Sequence, residues 1–265
     1  MLPALIAIAV VLVLIERFWP ANELPSSKGW WLRIALVNLA QVGIVILAGK
    51  TWDLWFQDVS LFHLKDHLPV WGAAGVCYFL STFIYYGWHR LRHESKFFWR
   101  LCHQLHHSPR RIEILASFYK HPVEITINSM ISATLCYLVL GISVEAAAVY
   151  TFLTAIAEYF YHWNIRTPQW LGPILQRPES HRVHHKYQHH TQNYADLPIW
   201  DILFGTYHNP PESPKQCGFD EDKEQRLGDM LLFRDVHARN TESVPAPAAL
   251  PRTCMGCRKR WACHR

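Results

Sequence analysis

The residues best equipped for chemistry are histidines, and they fall in blocks. Of seventeen in the chain, His89 and His93 stand four apart, His103, His106 and His107 form a second block, and His181, His184 and His185 repeat the second block's spacing. His162 follows a long apolar run. On a helix, residues three and four apart share a face, so each block can aim its imidazoles at a single point. Imidazole suits iron, zinc, copper and nickel alike, so spacing alone does not name the metal. These nine imidazoles exceed the roughly four donors that a lone zinc accepts, which implies two ions. A surface or phosphate-binding role explains any single histidine, but not three blocks of repeated spacing.

Something must hold these blocks together, and the apolar segments are the candidates. A bilayer core needs about 20 mostly apolar residues per helix. Segments 2–18, 31–49, 69–88, 123–141 and 143–161 have that character, the last two forming a hairpin around Gly141-Ile142-Ser143. Arg33, Asn38 and Gln41 interrupt the second, and the first is short. Residues 1–15 resemble the core of a signal peptide, yet no basic residue precedes them and Glu16-Arg17-Phe18-Trp19-Pro20 offers no cleavage site, so a retained helix is expected.

Positive residues in short loops stay on the cytoplasmic side. The stretch from His89 to His121 carries Arg90, Arg92, Lys96, Arg100, Arg110, Arg111 and Lys120, whereas 50–68 holds only Lys50 and Lys65 against Asp53, Asp58 and Asp66. This places His89 to His121 and everything after Tyr161 in the cytoplasm, and the amino terminus outside if all five segments cross. All nine histidines then lie at one membrane surface, although the loop count used none of them. The expectation is an all-α integral membrane protein: four to five transmembrane helices with a cytoplasmic helical cap carrying a di-metal site.

The net charge of +5 forms no basic stripe, so anionic lipid headgroups explain it better than nucleic acid does. Seven cysteines, scattered and odd in number, outline no disulfide framework. Three regions are expected: N-terminal transmembrane helices over 1–68, a catalytic region over 69–208, and a polar segment over 209–265, disordered from about 240. The tail, with Cys254, Cys257, Cys263 and His264, could hold one zinc but lacks a second closely spaced cysteine pair, and a solvated basic tail is the simpler expectation.

His89-Arg90-Leu91-Arg92-His93, His103-Gln104-Leu105-His106-His107 and His181-Arg182-Val183-His184-His185 resemble the HxxxH, HxxHH, HxxHH signature of the fatty acid hydroxylase/sterol desaturase superfamily. Lys120-His121-Pro122-Val123-Glu124, His162-Trp163-Asn164-Ile165 and Trp200-Asp201-Ile202-Leu203-Phe204-Gly205-Thr206-Tyr207 resemble further stretches of that superfamily, so the likeness covers about 70–208 in order. It implies a di-iron centre, O2 as co-substrate, a membrane lipid substrate and the nine histidines as catalytic ligands. It also implies an external electron donor, since no heme-binding HPGG motif and no Gly-rich flavin or nicotinamide fingerprint is present. Two departures stand out: Asn193-Tyr194-Ala195-Asp196 where relatives often have Asn-Tyr/Phe-Gly, and Glu158 where fatty acid 2-hydroxylases begin another HxxxH.

Glu158 precedes His162 by four residues, which makes it a candidate ligand or hydrogen-bond acceptor for one, the alternative being an ion pair with Arg166 or another loop cation. Glu124, Asn164, Asn193, Asp201 and His121 lie beside the histidine blocks and are candidates to orient them. His189 and His190 fall outside the motif and could line the entrance. Lipid hydroxylation is favoured, a sterol or acyl-lipid desaturase being the alternative. A membrane metal transporter is disfavoured because its ligands would sit near mid-bilayer rather than at span ends.

Overall fold

The computed structural model describes residues 1–56 and 59–238, and within them the chain is helical, with one isolated bridge between Lys186 and Cys217. The tail cysteines Cys254, Cys257 and Cys263 lie outside the described residues. Five long helices carry the architecture: α1 (Leu2–Phe18), α2 (Trp30–Lys50), α3 (Val70–Glu94), α4 (Pro122–Ala133), which a wider π-helical turn extends over Thr134–Val139, and α5 (Val144–His162). Among the short helices that follow are α6 (Pro178–His184) and α7 (Ile199–Leu203). Proline opens α4 and α6, where its missing N–H is no loss. The stretches Trp30–Trp55 and Pro122–Val139 are long and apolar enough to cross a membrane. The other three expected segments are helical without meeting both conditions.

Small residues let the helices approach. Ala73, Ala74 and Cys77 of α3 pack against Ala146, Ala147, Val149 and Tyr150 of α5, with Ala133 and Cys136 completing the cluster. The outer faces are apolar and exposed: Ile6, Val10 and Leu14 on α1, Leu32, Leu36 and Leu39 on α2, and Phe79 and Phe83 on α3. Large exposed apolar surface of this kind marks a contact face for lipid or for another protein.

The connections sort to opposite ends. At one end the 59–68 segment lies on the α4–α5 turn, with Leu61 N donating to Leu138 O and Leu64 N to Leu140 O. Gly141, at φ +61°, passes so close to Ser60 and His63 that a Cβ there would collide. At the other end the α1–α2 connection, the 95–121 segment and residues 163–238 form a cap. Arg111 donates to Pro25 O, and Ala21 N to Asn164 O. Trp30, Ile34, Leu105, Tyr119, Phe219, Met230 and Val236 make the cap's apolar core, so 209–238 packs as part of it. The four described cysteines are buried and free.

Candidate metal centre

All nine predicted histidines meet at the cap end, in two groups whose ligand-capable atoms lie within 4.8 Å of one another. His89, His93, His103, His107 and His184 form one, and His106, His162, His181 and His185 the other. The blocks do not each converge on one point, as their spacing suggested. His103 and His107 share a group while His106 joins the other; His181 and His185 share a group while His184 crosses over. At 3.6 residues per turn, residues four apart are offset by about 40° but adjacent residues by about 100°. A His-His pair on one helix therefore straddles two positions.

The nitrogens themselves fit metal. Nε2 of His103 and His93 are 3.0 Å apart, His181 and His162 3.2 Å, and His185 and His181 3.1 Å. Donors about 2.1 Å from a common ion stand at such separations. His89, His107 and His184 each leave a buried Nε2 with no hydrogen-bond partner. An orphaned buried acceptor is costly, and a metal ion removes that cost. Burial lowers the pKa of His103, His106, His107, His181 and His185, and takes His184 down to about 3, so these imidazoles are neutral and free to ligate.

The other ring nitrogen fixes several of the rings. Nδ1 of His89 donates to Tyr194 O (2.7 Å), of His184 to Gln192 O (2.8 Å) and of His162 to Glu158 O (3.0 Å), while Nδ1 of His107 lies 3.2 Å from that of His190. Gln188, His190, Gln192 and Asn193 all have positive φ, a strained conformation for non-glycine residues. That loop is how one segment reaches three ligands. His103 differs: its Nδ1 is 3.1 Å from both Glu124 Oε2 and Arg92 Nη1, and Arg92 is paired with Glu124.

Of the residues expected to orient ligands, Glu124 touches one directly. Asp201 acts at one remove, accepting from Tyr194 N (2.9 Å), Ala195 N (2.8 Å) and Thr206 Oγ1 (2.7 Å), which sets the carbonyl that holds His89. Burial raises the Asp201 pKa while these donors oppose the rise. Asn193 bridges Ser180 O and His208. Asn164 clasps Asn22, and His121 caps α4 through Val123 N; neither contacts a ligand imidazole through its side chain. The Glu158 carboxylate lies outside both groups and pairs with Lys120, so the ion-pair alternative describes it, with Lys120 rather than Arg166 as partner. Sequence reasoning passed over Arg92 and Lys120. The signal for Arg92 was a guanidinium inside the first histidine block, three residues beyond His89.

A cavity of about 290 Å³ opens between the helices and reaches His89, His103, His106, His162 and His181. Its walls carry polar groups, including Tyr85, Asn128, Ser132, Thr154, Lys120 and Asp196. Against this geometry, residues 74–206 match the family model described as fatty acid hydroxylase. The chain belongs to the fatty acid hydroxylase family. It is 29% identical over 222 residues to ornithine lipid hydroxylase OlsE of Rhizobium tropici, a match covering 76% of this chain and 65% of that protein. Alkylglycerol monooxygenase of Caenorhabditis elegans is 28% identical (49% of this chain, 26% of that one), and sphingolipid C4-hydroxylase sur2 of Schizosaccharomyces pombe 27% (51% and 49%). The chain spans less than two thirds of each of these fatty acid hydroxylase relatives. No solved structure matches it.

Proposed function

We propose that this protein is a di-iron, O2-dependent monooxygenase that hydroxylates a membrane lipid, with its centre on the cytoplasmic side of a bundle of up to five transmembrane helices. One observation carries the reading: two groups of buried or half-buried imidazoles open onto a cavity between helices whose outer faces are apolar. The relatives' printed activities, on ornithine lipid, alkylglycerol and sphingolipid, agree in being lipid oxygenations. Iron bound there, with O2, supplies the oxidising power to functionalise an unactivated C–H bond.

The chain's own part is to bind, orient and exclude. The nine imidazoles hold the ions, and the carbonyls of Tyr194, Gln192 and Glu158 hold three of those rings in the ligating tautomer. The cavity steers one carbon of the lipid to the centre, and packed helices keep bulk water away. Polar walls near the histidines suit a lipid whose reacting carbon lies close to a polar group. A separate electron-transfer partner supplies two electrons per turnover. The test is lipid mass spectrometry of membranes incubated with candidate lipids under 18O2. One 18O atom in the product supports hydroxylation; loss of two hydrogens without label points to desaturation.

A further inference from the structure

The ring partners of the nine histidines are not distributed evenly. Among the described residues, one carboxylate reaches a ligand imidazole: Glu124, fully buried, at 3.1 Å from Nδ1 of His103, which is itself 1% exposed. An ion held by Nε2 of His103, which is turned toward His93, would leave the ring proton on Nδ1, facing Glu124 Oε2. Arg92, also buried and lying over the Trp88 ring, pairs with the same carboxylate and holds it in place. The other group has nothing comparable. His162 is held by a neutral backbone carbonyl, and the Nδ1 atoms of His106 and His185 have no partner.

A carboxylate behind an imidazole raises its basicity and so strengthens its bond to a metal. We propose that the two metal positions are unequal, and that the buried Arg92–Glu124 pair, acting through His103, makes the five-histidine group the one that holds its ion tightly. The four-histidine group, with no carboxylate behind any of its rings, holds the exchangeable ion. That position supplies three of the five histidines facing the cavity, so the looser ion is the one exposed to the substrate side. Glu124 is a positioning residue here. The inference rests on the di-metal reading given above.

The test is a chelator titration of the full-length, iron-loaded protein in detergent, with retained iron counted by elemental mass spectrometry. Wild-type protein should release iron in two separate steps. Glu124→Gln keeps the shape but removes the charge, and should move the tight step 10–100-fold toward lower chelator while leaving the loose step in place. Because Glu124→Gln strands a buried guanidinium, the double variant Arg92→Met/Glu124→Gln serves where the single one fails to fold. His185→Ala should abolish the loose step and His107→Ala the tight one. A single release step in wild-type protein, or a tight step unmoved in the Glu124 variants, overturns the proposal. Wild-type protein that never holds two ions overturns the di-iron reading instead.

Discussion

Asp201→Asn separates the support of the centre from the centre itself. Asp201 is fully buried and accepts three hydrogen bonds, two of them from the backbone amides of Tyr194 and Ala195. Asparagine has one acceptor oxygen, so its amide must face one of those N–H groups in either orientation. At least one charge-assisted bond disappears, about 1.5–3 kcal/mol, and one buried amide is orphaned, about 1–3 kcal/mol. The sum is about 3 kcal/mol or more. At about 2–4 °C per kcal/mol for a chain of this size, the thermal midpoint in detergent should fall by about 6 °C or more. Because Tyr194 O receives the His89 proton at 2.7 Å, metal affinity should fall with it, about 10–100-fold. Thr206→Val is the control: it removes one hydroxyl from Asp201 and should cost only about 1 kcal/mol, with iron retained. If Asp201→Asn kept both its midpoint and its iron, the chain of contacts from Asp201 through Tyr194 to His89 would not matter.

Removing iron with an excess of chelator should abolish turnover, and ferrous iron alone should restore it; recovery with zinc instead would exclude redox chemistry at the site. Glu158→Gln should retain iron, because its carboxylate pairs with Lys120 rather than with either histidine group, and Glu158→His should bring no gain; iron loss in the glutamine variant would reinstate Glu158 as a ligand. The metal-free protein should lose stability in acid. Below about 6.5 an unfolded histidine takes a proton that the buried one refuses, so each such group costs about 1.4 kcal/mol per pH unit, for His184 until about 3. Denaturation midpoints rising or flat between pH 6.5 and 5 would contradict that sign.

The histidines were legible because ligation demands a residue type at helical spacing, and all nine reach the centre. The gathering of the 89–121 and post-162 segments at one end of the bundle follows the same order as the charge pattern. What the blocks could not reveal was their division, five against four, since that depends on how separate helices face one another. His184 belongs with His89 because the 188–194 loop places Gln192 O and Tyr194 O behind both rings, and no pattern in the chain announces those left-handed turns. Glu158 shows what spacing leaves open: four residues before His162 it could face a ligand or a loop cation, and Lys120, from the segment before α4, takes its carboxylate. The polar composition of 209–238 likewise gives no sign that Phe219, Met230 and Val236 complete the cap's apolar core.

The split of the histidines across two positions has a mechanical side. The first group ties residues 89–107 to residue 184, and the second ties residue 106 to residues 162–185. An ion bound in either group would thus cross-link stretches of chain distant in sequence, and the two cross-links would share the short 103–107 segment. Cross-links of this kind restrain the open chain far more than they alter the closed one. Between them, two bound ions would fasten the cap to the ends of α3 and α5. On the di-iron reading proposed above, a cell short of iron would therefore make a protein that is not merely idle but loosely closed, its cap more open to proteases. Iron supply would then set how long the molecule survives as well as how fast it works.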